Sequence, residues 1–452
     1  MENLKSNRRD FFKASALGML GTVSVPGVLS GCANTATANE KIYDVAIPEV
    51  YENAAPGKKL KAGLVGCGGR GTGAVKDFLA ADDNLQITAL GDVFQDSLDK
   101  GRASLKNINV DVPDQNCFVG FDAYKKVIDS DIDIVLLATP PLFRPEHFDY
   151  AISKGKHCFI EKPAAVCPTG IRQVLLTHKK AVQQGLSVVT GTALRSMKNK
   201  IELFKRVANG EIGEIISAHV SRLGDALWFK QRQPEWSDTE YLLRNWTSFC
   251  RASGDCVVEM FVHEIDLMTW FLNDRLPIRA ESTGGRQRRV TGDMYDHFSM
   301  TYVYENGMRA HCTHRQINGC GSSYQVNIYG TKGYVDPRSE KLYNKDGSIA
   351  WEPPRQDRND PNRNDRRDNG FVQEHVRLIN AIRTGKPVNE AEALANSTLI
   401  AIMGRESAYT GNFITWDEIK SSTLNLSLDK YEFGPIPGFN ENIPVAGTPA
   451  KV

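Results

Sequence analysis

The sequence predicts a mixed α/β chain of two domains, a parallel-sheet half followed by a half of strands with helices at its end. Three observations predict it. From residue 60 to 190, apolar strand-like runs alternate with helical patterns, as βαβ units do. One run, Ile132 to Ala138, is apolar almost throughout, as a strand covered on both faces of a parallel sheet must be. Beyond residue 215 lie most of the remaining strand-like runs, and two long helical patterns follow residue 370.

The first half opens with Leu60 to Val65 (LKAGLV) as a strand. Gly66-Cys67-Gly68-Gly69-Arg70-Gly71 follows at once, and Thr72 to Ala81 reads as a helix. Glycines there allow a tight turn and close approach of backbone to a pyrophosphate, and the helix start offers free N–H groups. A second strand, Leu85 to Leu90, runs into Asp92, about twenty residues past the last glycine, where an acid meets the adenosine ribose. A carboxylate there repels a 2′-phosphate, and Val93 to Ser97 contains no Arg or Lys, so NAD is favoured over NADP. Read blandly, this is a glycine-rich surface turn with an incidental Asp; the ordered strand, loop, helix, strand and acid favour the dinucleotide. Further on, Tyr124 to Ile128 is helical. Thr139-Pro140-Pro141 ends the Ile132 strand where ligands sit in such sheets. Glu146 to Ser153 (helix), His157 to Ile160 (strand), Thr169 to Gln184 (helix) and Leu186 to Thr190 (strand) complete this half.

Before it lies an address. NRRDFFK at 7–13 resembles a twin-arginine export signal, and Leu29-Ser30-Gly31-Cys32 resembles a bacterial lipobox with Cys32 as the lipidated residue. The apolar run between them is too short to span a bilayer. Residues 1–32 are thus expected to be a signal of a bacterial protein, exported folded to the periplasm or held to a membrane by that lipid alone, and 33–58 a tether with little periodicity. Formal net charge is +1, which gives no pull toward nucleic acid. Nine cysteines show no CxxC pair, so zinc-ribbon and thioredoxin readings fail. Cys67 and Cys158 read as buried, and Cys250 with Cys256 as a possible disulfide.

GCGGRG, Asp92, ATPP at 138–141, GKHCFIEKP at 155–163 and Arg195 together resemble the Gfo/Idh/MocA oxidoreductases, the glucose–fructose oxidoreductase and inositol dehydrogenase type, over about residues 59 to 420. The resemblance implies a Rossmann domain at 59–190. A substrate and oligomerisation domain follows at 191–420, an open, mostly antiparallel sheet with helices on one face, and 421–452 is an extension. It implies that Lys162 of EKP lies beside the nicotinamide and the reacting carbon, with Glu161, Arg195, Thr139 and Pro140 also at the cofactor. An acid, a His four residues on and an Asp three further mark the entrance helix of the second domain. The matching residues here are Glu259, His263 and Asp266, which share one face of a continuous helix. Glu259 departs from the Asp common in the polyol dehydrogenases. Arg144 stands nearest the position of a His after the TP turn, with His147 beyond it, and both are candidate substrate contacts, as is Asp266. Dimers or tetramers are implied.

The chemistry these residues suit is oxidation of a sugar or glycoside hydroxyl. His263 is the candidate base, Lys162 holds the oxygen, and Glu259 orients His263 or grips a neighbouring hydroxyl. Tyr324 and His314 are the next candidates for the base. Other readings of this helix are a zinc site, for which no second ligand cluster is evident, and a buried structural histidine. Two further function classes stand beside a net oxidoreductase. One is a redox-assisted glycosidase, oxidising C3, eliminating the aglycone, adding water and re-reducing. The other is a non-catalytic binding lipoprotein. Ile215 to Arg222, Ala280 to Gly284, His297 to Tyr304, Arg309 to Arg315 and Tyr324 to Tyr329 read as strands, and Phe371 to Thr384 and Ala391 to Tyr409 as helices. Arg286 to Arg289 reads as a solvated turn or a local anion contact. Residues 352–370 read as a solvated loop, and Trp228 to Trp246 as a sugar-binding or subunit-interface insertion.

Overall fold

The computed structural model describes residues 47–354 and 369–447. The export segment with Cys32 and most of the charged loop 352–370 lie outside the described residues. The first sheet has six strands: β1 (Leu60–Val65), β2 (Leu85–Asp92), β3 (Cys117–Val119), β4 (Ile134–Leu137), β5 (His157–Ile160) and β6 (Val188–Thr190). Their order is β3-β2-β1-β4-β5-β6, and every neighbouring pair is parallel. Period-two alternation assigns each side chain to a face. Ile134 and Leu136 join Leu60, Leu64 and Phe159 in one core; Val135 and Leu137 join Ile160 and Phe148 in the other. Both faces are covered, which is why β4 reads as an unbroken apolar run.

The second sheet has nine strands: β7 (Ile215–Gly224), β8 (Arg279–Gly285), β9 (His297–Val303), β10 (Arg309–Gln316), β11 (Ser323–Gly330), β12 (Gly333–Asp336), β13 (Lys341–Asn344), β14 (Ile349–Trp351) and β15 (Ile414–Thr415). They run in the order β14-β13-β12-β11-β7-β10-β9-β8-β15. Pairing is antiparallel except between β7 and β10. The helices Val262–Phe271 and Ala391–Thr410 lie on one face. Trp270, Ala280, Tyr302, Val326 and Ile400 there belong to the same continuous core as Phe148 and Ile160 of the first domain. The two domains thus share apolar packing.

The expected division at residue 190 fails at one element. The helix Gly370–Thr384 comes late in the chain but puts Val372, Val376 and Ile379 into the first domain's core, beside Phe78 and Phe159. The expected tether also differs. Residues 51–58 are strapped to that helix: Tyr51 N–H donates to Gln373 Oε1 (3.1 Å), Gln373 Nε2 donates to Tyr51 O (2.8 Å), and Arg383 Nη1 donates to Ala55 O (2.6 Å). The sequence offers no periodicity there because the backbone, not an apolar stripe, makes the contact. Cys250 and Cys256 are both free thiols; the Cys256 thiol points to Tyr295 O at 3.6 Å. The basic cluster is an anion contact: the backbone N–H groups of Gln287, Arg288 and Arg289 converge on the buried Asp296 carboxylate at 2.7–3.1 Å.

Because Ile379 is fully buried in the core of the six-stranded sheet, Ile379→Ala should cost about 2–5 kcal/mol. Hydrogen exchange should show the lost protection in β1 and β4 and not in the nine-stranded sheet.

Candidate active site

A cleft of about 600 Å³ opens at the carboxyl ends of β1, β2 and β4, where the strand order reverses. Gly66, Gly68, Gly69, Arg70, Gly71, Asp92, Thr139 and Pro140 line it. Gly66 has φ +97°, and a Cβ on Gly71 would lie 1.8 Å from Gly66 O, so the loop can close under the helix only as glycine. Around Gly68 and Gly69 a Cβ would meet nothing within 4 Å. The helix Gly69–Ala81 has no acid in its first turn and no side-chain cap, which leaves its N–H groups free for a phosphate. Asp92 is pinned: Oδ2 accepts from Cys67 N–H (2.8 Å) and Oδ1 from Phe94 N–H (3.0 Å). Spare lone pairs on each oxygen remain for ribose hydroxyls. Glycine cradle, uncapped helix and acid together fit a dinucleotide.

The wall of the cleft is aromatic and comes from distant segments. Phe94, Phe121, Tyr124 and Phe143 stand on the first domain, with Trp228, Lys230, Arg244 and Trp246 from the insertion. Part of the insertion thus faces the dinucleotide cleft. Arg244 lies 3.9 Å from the Phe94 ring centroid and bonds Asp96 at 3.1 Å. The C-terminal extension backs this wall, with Phe433 against Phe94 (5.6 Å) and Phe121 (5.1 Å) and Tyr431 against Phe143 (5.4 Å). His147 belongs to the wall too. It is buried, stacked on Tyr124 at 4.0 Å and Phe143 at 5.6 Å, and burial with Arg144 nearby pushes its pKa down to about 3. Its expected substrate role is thus replaced by a neutral place in the dinucleotide cleft.

Beyond β5 the chain carries Glu161, Lys162 and Pro163. Two buried arginines hold this loop. Arg144 donates to the carbonyls of Glu161, Thr139 and Pro163, the last at 2.7 Å. It is 1% exposed, and burial lowers its pKa to about 10. It is a clamp under the loop, which corrects its expected role as a substrate contact. Arg405, from the helix Ala391–Thr410, donates to Val166 O (2.8 Å) and Gly254 O (2.9 Å). Glu161 is an anchor: Oε2 accepts from Lys162 N–H (3.1 Å), and Oε1 accepts from Arg70 Nε.

Lys162 Nζ donates to Glu259 O (2.7 Å) and Glu259 Oε1 (3.0 Å). One N–H of the ammonium and the buried, unpartnered Glu259 Oε2 are left over. Glu259 therefore grips Lys162, and no bond from it to His263 forms. The expected continuous helix is broken between Cys256–Glu259 and Val262–Phe271. His263 is half-buried, with no side-chain hydrogen bond among the described residues. Burial, then Lys162, Arg222, Arg338 and Arg70, push its pKa well below the usual imidazole value. Asp266 does not join this group. It is paired with Arg195 Nε at 2.9 Å and accepts from Ser397 at 2.8 Å. Arg195, held by Asp266 and Asp274, lines a separate hollow with Thr192 and Trp270, outside the dinucleotide cleft where it was expected. Each satisfies the other's buried charge. His314 is buried with Nδ1 at 2.9 Å from Arg222 O, while Tyr324 is exposed. Arg405, Arg222 and Arg338 carry no local sequence signal, since their partners lie far along the chain.

Gly68→Ala and Gly71→Ala separate binding from folding. Gly71→Ala should lower the melting temperature, because its Cβ meets backbone. Gly68→Ala should melt like the parent yet bind NAD at least tenfold more weakly by calorimetric titration, since only the cofactor would meet its Cβ.

Residues 60–189 match the family model described as an oxidoreductase family with an NAD-binding Rossmann fold. Residues 201–336 match the GFO/IDH/MocA C-terminal domain. The cofactor is thereby NAD. Among curated relatives, a glycosyl hydrolase family 109 protein of Shewanella pealeana is 24% identical over 230 residues, covering 50% of this chain and 48% of the relative. The inositol 2-dehydrogenase of Salmonella typhimurium is 22% identical over 215 residues, covering 48% and 55%. The chain thus spans about half the length of these relatives. Scyllo-inositol dehydrogenase from Lactobacillus casei, solved with NAD(H) and scyllo-inositol, shares the fold at TM-score 0.59 and 20% identity, covering 79% of this chain and 99% of that one. An oxidoreductase domain protein from Kribbella flavida does so at TM-score 0.63 and 17% identity, covering 79% and 99%. Both matched segments fall on the two sheets described above, in the same order, and the chain belongs to the Gfo/Idh/MocA oxidoreductase family.

Proposed function

We propose that the protein is an NAD-dependent oxidoreductase that oxidises a hydroxyl of a sugar or glycoside. The observation that carries this reading is Lys162, which follows Glu161, the partner of the cleft-lining Arg70, and is itself bonded to Glu259, four residues before His263. Bound NAD supplies the hydride chemistry. The protein's part is to hold the hydroxyl and move its proton. The remaining N–H of Lys162 Nζ donates to the substrate oxygen and stabilises charge growing there. A ring nitrogen of His263 takes the proton. Glu259 keeps Lys162 aimed, and its Oε2, which has no partner among the described residues, accepts from a neighbouring hydroxyl.

A second reading is glycoside cleavage without net change of cofactor, which the similarity to glycosyl hydrolase family 109 proteins favours. Incubating the NAD-loaded protein with a panel of glycosides separates the two. Keto-sugar supports the oxidoreductase, free sugar plus aglycone at constant cofactor absorbance supports cleavage, and neither product across the panel overturns both.

Lys162→Ala and His263→Ala should each lower turnover by roughly a hundredfold or more, and non-additively, because both act on one hydroxyl. The pH profile carries a sharper expectation. Only the neutral imidazole accepts a proton, and its pKa is depressed, so it stays competent well below pH 6.5. The acid limb of kcat/KM should therefore fall well under the ordinary histidine range and vanish in His263→Ala. A limb centred near pH 6.5 would show that another group is the base.

We also propose export and lipidation, supported by Arg8-Arg9 and the Leu29–Cys32 motif. Cys32→Ala should move the protein from the membrane fraction to the soluble fraction, and Arg8→Lys with Arg9→Lys should keep precursor in the cytoplasm.

A further inference from the structure

We propose that Arg222 and Arg338 form a carboxylate-binding subsite, so that the preferred substrate is a uronic acid or its glycoside. The proposal rests on the reading that substrate sits between Lys162 and His263, and it names the class of that substrate. Arg222 lies near the end of β7 and Arg338 follows β12. Both reach Glu264, the residue after His263. Arg222 Nη1 stands 3.0 and 3.1 Å from its two carboxylate oxygens, and Arg338 Nη2 stands 2.5 Å from Oε1.

Glu264 is fully buried, and its single negative charge is shared by two guanidiniums. One positive charge is left over. The other cations around His263 have their own acids: Lys162 has Glu259, and Arg70 has Glu161 and Asp77. Among the described residues, Glu264 is the only acid bridged to Arg222 or Arg338. The excess therefore belongs to this pair. Both side chains keep access to solvent, 17% for Arg222 and 24% for Arg338. Arg222 lies over the exposed Tyr324 ring at 5.3 Å, which fixes its plane. Arg338 Nε has no hydrogen-bond partner among the described residues.

One guanidinium would neutralise Glu264. A second, partly exposed one costs desolvation without a charge to answer it, unless an anion completes the set. A planar fork of N–H groups fits a carboxylate at two points, whereas a neutral hydroxyl would leave the charge unmet. Both arginines converge on Glu264, next to His263 on the same helix, so an anion held there lies one residue along from the imidazole.

The test compares methyl β-D-glucuronide with methyl β-D-glucoside on the NAD-loaded protein, following product and, separately, calorimetric binding of each sugar. Expected is a kcat/KM preference of at least tenfold for the glucuronide, the loss of one charged hydrogen-bonded contact. Arg338→Gln should cut that preference at least tenfold, with Arg338→Lys intermediate because the charge remains and the fork is lost. Equal or better use of the glucoside overturns the proposal. If neither sugar is turned over, the oxidoreductase reading is in question and binding decides the subsite. Glucuronide bound more tightly than glucoside, and weakened by Arg338→Gln, supports it; equal binding, or an Arg338→Gln protein that binds like the parent, overturns it.

Discussion

The site depends on how the loop after β5 is held. Lys162 sits on a short unpaired stretch with no helix or strand of its own to fix it. Arg144 ties the carbonyls of Glu161 and Pro163 to the turn after β4. From the other side, Thr398 accepts the Ala164 N–H at 3.1 Å, and Arg405 bridges Val166 to Gly254. Buried guanidiniums are costly unless partnered; here Arg144 answers carbonyl oxygens, and Arg405 answers carbonyl oxygens and the Glu406 carboxylate. Gly254 immediately precedes the segment with Glu259 and His263, so one side chain sets the distance between the two halves of the site.

The charges of the site are paired between segments distant in sequence. Glu259 neutralises Lys162, Glu161 neutralises Arg70, and Asp266 neutralises Arg195. Each acid of the 259–266 segment has gone to a different cation. The break at Met260 and Phe261 turns them apart, and His263 has no side-chain hydrogen bond among the described residues.

Much of this was legible beforehand, and the limits are physical. The parallel half could be read because its signals are local: an apolar run, a glycine loop, an acid at a strand end. All of β1 and β5 came out with their observed bounds, and the helix after the glycines begins earlier only because Gly69 to Gly71 form its first turn. The short strands β12 to β14 were not legible, being three or four residues with mixed polarity. Arg144 and Asp266, expected at the substrate, and Arg195, expected at the cofactor, instead answer protein groups. A buried ion pair such as Arg195 with Asp266 spans 71 positions, and nothing in the spacing of either residue points to the other. The helix Gly370–Thr384 was foreseen as a helix, but its stripe of Val372, Val376 and Ile379 does not say which sheet it will cover.

The strapping of residues 51–58 has a mechanical consequence. Whatever pulls on the chain upstream of Tyr51 transmits its load first to the paired Tyr51–Gln373 bonds and then to Arg383, which also grips Asp82 at 2.9 Å. The force passes into the helix Gly370–Thr384, whose Glu374 stands 3.7 Å from Arg70, the arginine that holds Glu161 beside Lys162. Drag or tethering at that end is therefore met first by the helix that also backs Arg70 and Glu161, so the strap is a lever one ion pair away from the loop of Lys162.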